Sequence, residues 1–193
     1  MKAMSEKKYV SDIECLNCIS LGTEISELKR KLNDMEQYAL HDTLTGLANR
    51  RQFIESLEHR IMRCQRYGDT TALLFLDVNN LKAVNDECGH SAGDALLIRL
   101  SEILSANIRG SDMVARIGGD EFAILLDNLD ADKVDNKIDL LLKRIDSSHI
   151  EHDGRKIPLG VAIGYCFVGP IDTIPDLMSR ADAAMYKAKK GTL

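Results

Sequence analysis

Arg116-Ile117-Gly118-Gly119-Asp120-Glu121-Phe122 is the stretch on which the fold of this chain turns. Met113, Val114 and Ala115 precede it, and the apolar run Phe122 to Leu126 follows it. Two short apolar runs joined by a Gly-Gly step read as a β-hairpin whose turn needs positive φ. Such a hairpin carries Asp120 and Glu121 at its tip, beside glycines that admit a large ligand close to the backbone. Adjacent carboxylates at a Gly-opened turn suit a hard cation such as Mg²⁺, which prefers oxygen ligands and usually brings phosphates with it. A surface turn with acidic decoration is the plainer alternative.

Upstream of the hairpin, Thr70 to Leu76 reads as a buried strand that Asp77 ends, which sets a carboxylate at the mouth of the sheet. Lys82 follows soon enough to meet a phosphate as a point charge. Asn85 and Asp94 have the chemistry for guanine, because a carboxylate accepts from N1–H and N2–H₂ while an amide both donates and accepts. Asp94 also fits an acidic capping box with Ser91, opening a helix over Ala95 to Ile108, so cap and ligand both stand. His90 reads as a hydrogen bonder that fixes the loop, since no nucleophile for it to activate is evident. Arg109-Gly110-Ser111-Asp112 closes the helix, with Gly110 as a candidate C′ residue.

Further out, Asp42 to Arg51 reads as a turn and a helix start, with Asn49 as N-cap and Gln52 completing a capping box. Phe53, Leu57 and Ile61 mark that helix's buried stripe. After the hairpin, Ala131 to Ile145 is a helix and Asp153-Gly154 a charged hairpin turn. A strand over Pro158 to Val168 and an amphipathic helix over Pro175 to Lys190 complete the reading. Near the start, Leu21, Ile25, Leu28, Leu32, Met35 and Ala39 recur at spacings of four and three. With Ile25 and Leu32 at a, Glu24 and Lys31 fall at g and Lys29 and Glu36 at e, so both g–e′ pairs of a parallel homodimer attract. An amphipathic helix packed on its own domain is the alternative.

The chain of 193 residues holds one ordinary domain plus an extension, and its net charge of −5 argues against a nucleic-acid binder. No apolar run approaches a membrane span and the start is too polar for a signal peptide, so a cytoplasmic location is the default expectation. Cys15 and Cys18 form a lone C-x-x-C with no second pair, which reads as plain helix residues. No Ser-His-Asp or Cys-His arrangement offers a nucleophilic alternative.

Gly118-Gly119-Asp120-Glu121-Phe122 resembles the signature of the GGDEF family, the diguanylate cyclases. The resemblance extends from about residue 41 to 190. Asp42 to Arg51 is similar to the family's entry motif, and Ala181 to Lys189 to its closing motif. Asp77 to Asp94 follows the family pattern with two departures: Asn79 stands where a second Asp is usual, and Leu81 where Phe is usual. An Arg-Asn that often follows the closing motif is not found up to Leu193.

The resemblance implies an α/β (α+β) fold with a central, mainly antiparallel sheet flanked by helices, related to the palm of nucleotide cyclases and polymerases. Residues 1–40 would be an N-terminal segment and coiled-coil helix, and residues 41–193 the GGDEF domain. It implies GTP as substrate, with guanine on Asn85 and Asp94 and phosphates along Asn80 and Leu81, against Lys82 and Lys189. Gly118 and Gly119 would lie at the substrate. Mg²⁺ or Mn²⁺ would sit on Asp77, the Val78 carbonyl and Asp120, while Glu121 either shares the metal or deprotonates the attacking 3′-hydroxyl. Two domains of a homodimer would face each other and release cyclic di-GMP, which would bind back at Arg109 and Asp112 as inhibitor. The other reading is a GGDEF-like domain that binds nucleotide or product without turning it over, with Asn79 as its only hint.

Overall fold

The computed structural model describes residues 21, 23–31, 35 and 39–191, which fall into two compact units, Met1–Ala39 and Leu40–Leu193. In the first, helix α1 covers residues 23–31. Its seam positions Leu21, Ile25, Leu28 and Met35 are 51–69% exposed, an apolar stripe left open among the described residues. Glu27 and Lys31, one turn apart, pair at 3.0 Å on the solvent side. Leu32, Glu36, Cys15 and Cys18 lie outside the described residues.

The second unit is built on a five-stranded sheet in the order β1-β3-β4-β2-β7. The strands are β1 (Ala48–Asn49), β2 (Thr71–Val78), β3 (Met113–Arg116), β4 (Glu121–Asp127) and β7 (Val161–Phe167). Only the β1–β3 pairing is parallel, so the sheet is mainly antiparallel, as the resemblance implied. A separate hairpin pairs β5 (His149–His152) with β6 (Arg155–Pro158). The helices are α2 (Arg50–Tyr67), α3 (Leu81–Cys88), α4 (His90–Ala106), α5 (Ala131–Asp146) and α6 (Ile174–Gly191).

Strand β2 is central because it is apolar on both faces. Leu74 and Leu76 pack with Phe122 and Ile124 against Leu96, Leu100 and Leu104 of α4 and Val134, Leu141 and Ile145 of α5. Leu73 and Phe75 point the other way, packing with Leu125 against Phe53 and Leu57 of α2 and Leu177 and Met185 of α6. Each such side chain, fully buried, contributes about 1.5–3 kcal/mol. The same alternation sets Asp77 on the α2/α6 face, one residue before the strand ends at Val78.

Three expectations need correction. The Gly118-Gly119 turn does not use positive φ; Ile117 and Gly118 N–H both donate to the Glu121 carbonyl, at 2.9 and 3.3 Å, closing a wider turn. Gly118 is required for space instead, because a Cβ there would strike the folded Glu121 carboxylate and lie 3.2 Å from its Cβ. Helix α4 starts at His90, behind Gly89 at φ 84°, so Ser91 and Asp94 lie inside the helix and form no cap. Leu159 and Gly160 separate β6 from β7, where a single strand over Pro158 to Val168 was expected.

The Asn49 cap is as expected: its side chain accepts from Gln52 N–H at 3.1 Å. The return half of the capping box does not form, and Gln52 Oε1 is buried without a hydrogen-bond partner. Asp153 and Gly154, at φ 49° and 72°, make the expected tight turn between β5 and β6.

Candidate active site

Residues 77–94 place chemistry at one end of the sheet because β2 runs almost directly into two helices. Val78 N–H donates to the Asp120 carbonyl at 3.0 Å, and Asn79 N–H to the Gly160 carbonyl at 2.9 Å, so the strand end is tied on both sides. Asn80 then takes a left-handed conformation, φ 58°, which turns the chain into α3. Gly89 ends α3 through its N–H to the Asn85 carbonyl at 2.9 Å and admits α4 at once.

The two helices and the hairpin enclose a cleft of about 480 Å³ lined by Leu81, Lys82, Asn85, Asp94, Gly119 and Asp120 among the expected residues. That size suits a mononucleotide-sized ligand. Arg116, Asp86, Gly93 and Leu97 line it too, and nothing was assigned to them from sequence. Gly93 was legible in principle as a glycine inside a helix. A Cβ at that position would collide with the Asn85 amide oxygen and lie 3.0 Å from its Cγ, so the missing side chain is what lets Asn85 stand where it does. His90 lines the cleft but its side chain makes no hydrogen bond among the described residues, so it does not fix the loop as expected.

Arg116 holds the hairpin tip. Its guanidinium donates to the Gly119 carbonyl at 2.8 and 3.2 Å and to the Asp42 carboxylate at 3.1 and 3.3 Å. Asp42 also accepts from the Thr45 N–H at 2.8 Å and hydroxyl at 2.7 Å. Burial pushes the Asp42 pKa up, but the Thr45 hydrogen bonds and the Arg116 guanidinium outweigh it and hold the group below its ordinary value. The entry turn and the signature turn are thus one polar unit.

The expected metal-side residues sit at the paired strand ends. Asp77 of β2 is opposite Glu121 of β4, and both are on the α2/α6 face. Lys189 of α6 donates to Asp77 Oδ1 at 2.5 Å. Asp77, Val78, Asp120 and Glu121 offer oxygen donors only, and no three His, Cys, Asp or Glu side chains are grouped for a metal ion among the described residues. Few protein ligands, all oxygen, suit Mg²⁺, which is commonly held by one or two carboxylates, water and substrate phosphates. The residues present therefore fit such an ion.

Asn79 and Asn80 line a second cleft of about 510 Å³ between α3 and the β5–β6 hairpin, together with Arg155, Lys156 and Glu87. Asn79, the departure that was expected to remove a charge at the metal, thus borders a different cleft from the one lined by Asp120. At the far end of the hairpin, Arg109 and Asp112 meet in a tight turn with Lys137 close by. Asp112 accepts from the Arg109 N–H at 2.9 Å and the Asp127 N–H at 3.2 Å, which ties this turn to the end of β4.

The profile of the family described as diguanylate cyclase, GGDEF domain, matches residues 39–192. The chain belongs to the GGDEF family. It is 39% identical over 165 residues to the bifunctional diguanylate cyclase/cyclic di-GMP phosphodiesterase MucR of Pseudomonas aeruginosa, covering 85% of this chain and 24% of MucR. The probable diguanylate cyclase DgcC of Escherichia coli is 30% identical over 170 residues, 88% of this chain and 45% of DgcC. The chain therefore spans less than half the length of these curated GGDEF relatives. Among solved structures, the coiled coil and GGDEF domain of Caulobacter crescentus DgcB, in complex with c-di-GMP, superposes with a TM-score of 0.84 at 26% identity. That match covers 91% of this chain and 93% of DgcB. No helix among the described residues is long and apolar enough to cross a membrane.

Proposed function

We propose that this GGDEF domain condenses two GTP into cyclic di-GMP with release of pyrophosphate, as one half of a cytoplasmic homodimer. The observation that carries this reading is the cleft in which Lys82, Asn85, Asp94 and Asp120 converge, with Glu121 next to Asp120 in the chain and opposite Asp77 in the sheet.

Asn85 and Asp94 recognise the guanine edge, the amide donating and accepting while the carboxylate accepts. Lys82, Lys189 and the backbone at Asn80 and Leu81 receive the triphosphate. Asp77, Val78 and Asp120 hold a divalent ion, Mg²⁺ or Mn²⁺, which when bound neutralises charge on the transferring phosphoryl group. Glu121, folded over Gly118, shares the ion or takes the proton of the 3′-hydroxyl. One cleft holds one GTP, so the 3′-oxygen and the α-phosphorus that must meet belong to nucleotides on two facing domains. Proximity of that kind removes much of the entropic barrier to bond formation. The exposed seam of α1 supports pairing by a parallel coiled coil, which keeps two domains at high effective concentration. The exposed Arg109, in a turn with Asp112 and near Lys137, supports product binding there and feedback inhibition.

Incubating the purified protein with GTP and Mg²⁺, and separating the guanine nucleotides by chromatography with mass detection, tests this. Cyclic di-GMP from the parent and none from Glu121→Ala is the expected result. A plateau at low conversion that Arg109→Ala removes is expected for the inhibitory site. A parent that binds GTP or cyclic di-GMP but makes no product would make the domain a receptor.

A further inference from the structure

Lys189 stands where a divalent ion would first meet the protein. Its ammonium lies on Asp77 Oδ1 at 2.5 Å, and the Asp77 side chain is only 15% exposed. Helix α6 is held there by backbone contact. Gly164 of β7 lies so close to Ala184 and Met185 that a Cβ would strike their backbone, and Lys189 follows Met185 by one helical turn. On the strand side, Asp77 is fixed between Glu121 of β4 and Ala162 of β7. Neither partner has to move to form the pair. A carboxylate so little exposed is costly without a counter-charge, and Lys189, itself 41% exposed, supplies one from the same chain.

Resting on the cyclase reading above, we infer that Lys189 is a built-in counter-cation for Asp77 that a divalent metal must displace, so that metal enters together with a triphosphate and not ahead of it. The ammonium occupies an oxygen that the ion needs, and Mg²⁺ commonly completes a set of one or two carboxylates with water and substrate phosphates. Metal alone would have to evict Lys189 and then sit beside a displaced positive charge. A triphosphate removes both obstacles, because it offers Lys189 another anion and the metal its missing oxygens. Metal and nucleotide then bind with positive coupling, and by linkage each strengthens the other equally. The benefit is selectivity: the site stays neutralised until substrate arrives.

Mn²⁺ titration followed by electron paramagnetic resonance reads this without turnover. Parent, Lys189→Gln, Lys189→Arg, Asp77→Asn and the Lys189→Gln/Asp77→Asn pair are compared with no nucleotide present. The parent and Lys189→Arg should bind Mn²⁺ weakly, and Lys189→Gln roughly tenfold tighter, within the usual range of site-to-site coupling. That gain should vanish in the Asp77→Asn background. With a non-hydrolysable GTP analogue added, the advantage of Lys189→Gln should disappear, because the parent's lysine has moved to the phosphates. Lys189→Gln binding Mn²⁺ no tighter than the parent, or a gain that survives Asp77→Asn, overturns the assignment, and circular dichroism of each variant guards against unfolding. Cyclic di-GMP formation by the parent is scored separately. Its absence would sink the cyclase reading while the Mn²⁺ comparison still decides the role of Lys189.

Discussion

Gly93 lacks a side chain at the one place on α4 where Asn85 needs the room. Gly93→Ala should therefore leave the fold intact, since Ala is the better helix former, yet push Asn85 off its proposed place at the guanine edge. Losing about one hydrogen bond to the base predicts a KM for GTP raised roughly tenfold, with kcat changed far less. Steady-state kinetics of the variant gives the answer, and an unchanged KM would remove Asn85 from guanine recognition. Asp42 makes a second prediction, about pH. Its folded pKa is lowered while an unfolded aspartate titrates near ~3.9, so its contribution to stability is present above about pH 4 and fades as pH falls through the folded value. Urea unfolding of the parent and of Asp42→Asn should differ at neutral pH and converge in acid. A gap independent of pH would mean the Arg116 and Thr45 contacts do not favour the ionised form.

At the scale of elements, the packing of α6 on β7 seats Lys189 against Asp77, the proposed metal side of the site. Gly164→Ala places a methyl against the backbone of Ala184 and Met185, neither of which can rotate away. Overpacking of this kind costs about 1–3 kcal/mol, to be read as a lowered urea midpoint at constant m. A midpoint equal to the parent's would mean that α6 shifts freely, and the seat of Lys189 with it. Elements were legible in the sequence where local chemistry decides them. Asn49 with Gln52, the Asp153-Gly154 turn and the apolar run of β2 each carry their own signal. The start of α4 was not legible, because Ser91 and Asp94 make a sound capping pattern on their own. What displaces it is Gly89: its positive φ ends α3 and starts α4 in one residue, a decision taken by how the two helices close the cleft. The hairpin turn misled for a similar reason. A Gly-Gly step usually signals a left-handed turn, and here the glycine is needed as empty space for Glu121. Arg116 and Gly93 went unassigned because their roles, holding the hairpin tip and seating Asn85, depend on partners distant in sequence or on another helix.

For the whole molecule, the claim is that chemistry happens between two copies. Among the described residues the seam of α1 is apolar and exposed, while the second unit buries two full cores of its own. Replacing Leu28, 58% exposed on that seam, by Asp puts a charge into the proposed interface without touching the cleft. Leu28→Asp should remain folded and bind a GTP analogue as the parent does, while sedimenting as a monomer. The decisive measurement is the specific rate of cyclic di-GMP formation against protein concentration, for the parent and for Leu28→Asp. The parent should rise to a plateau as dimers fill, and Leu28→Asp should need far higher concentration to reach the same value. Cyclic di-GMP formed at equal specific rates by a dimeric parent and a monomeric Leu28→Asp, at every concentration, would contradict the account.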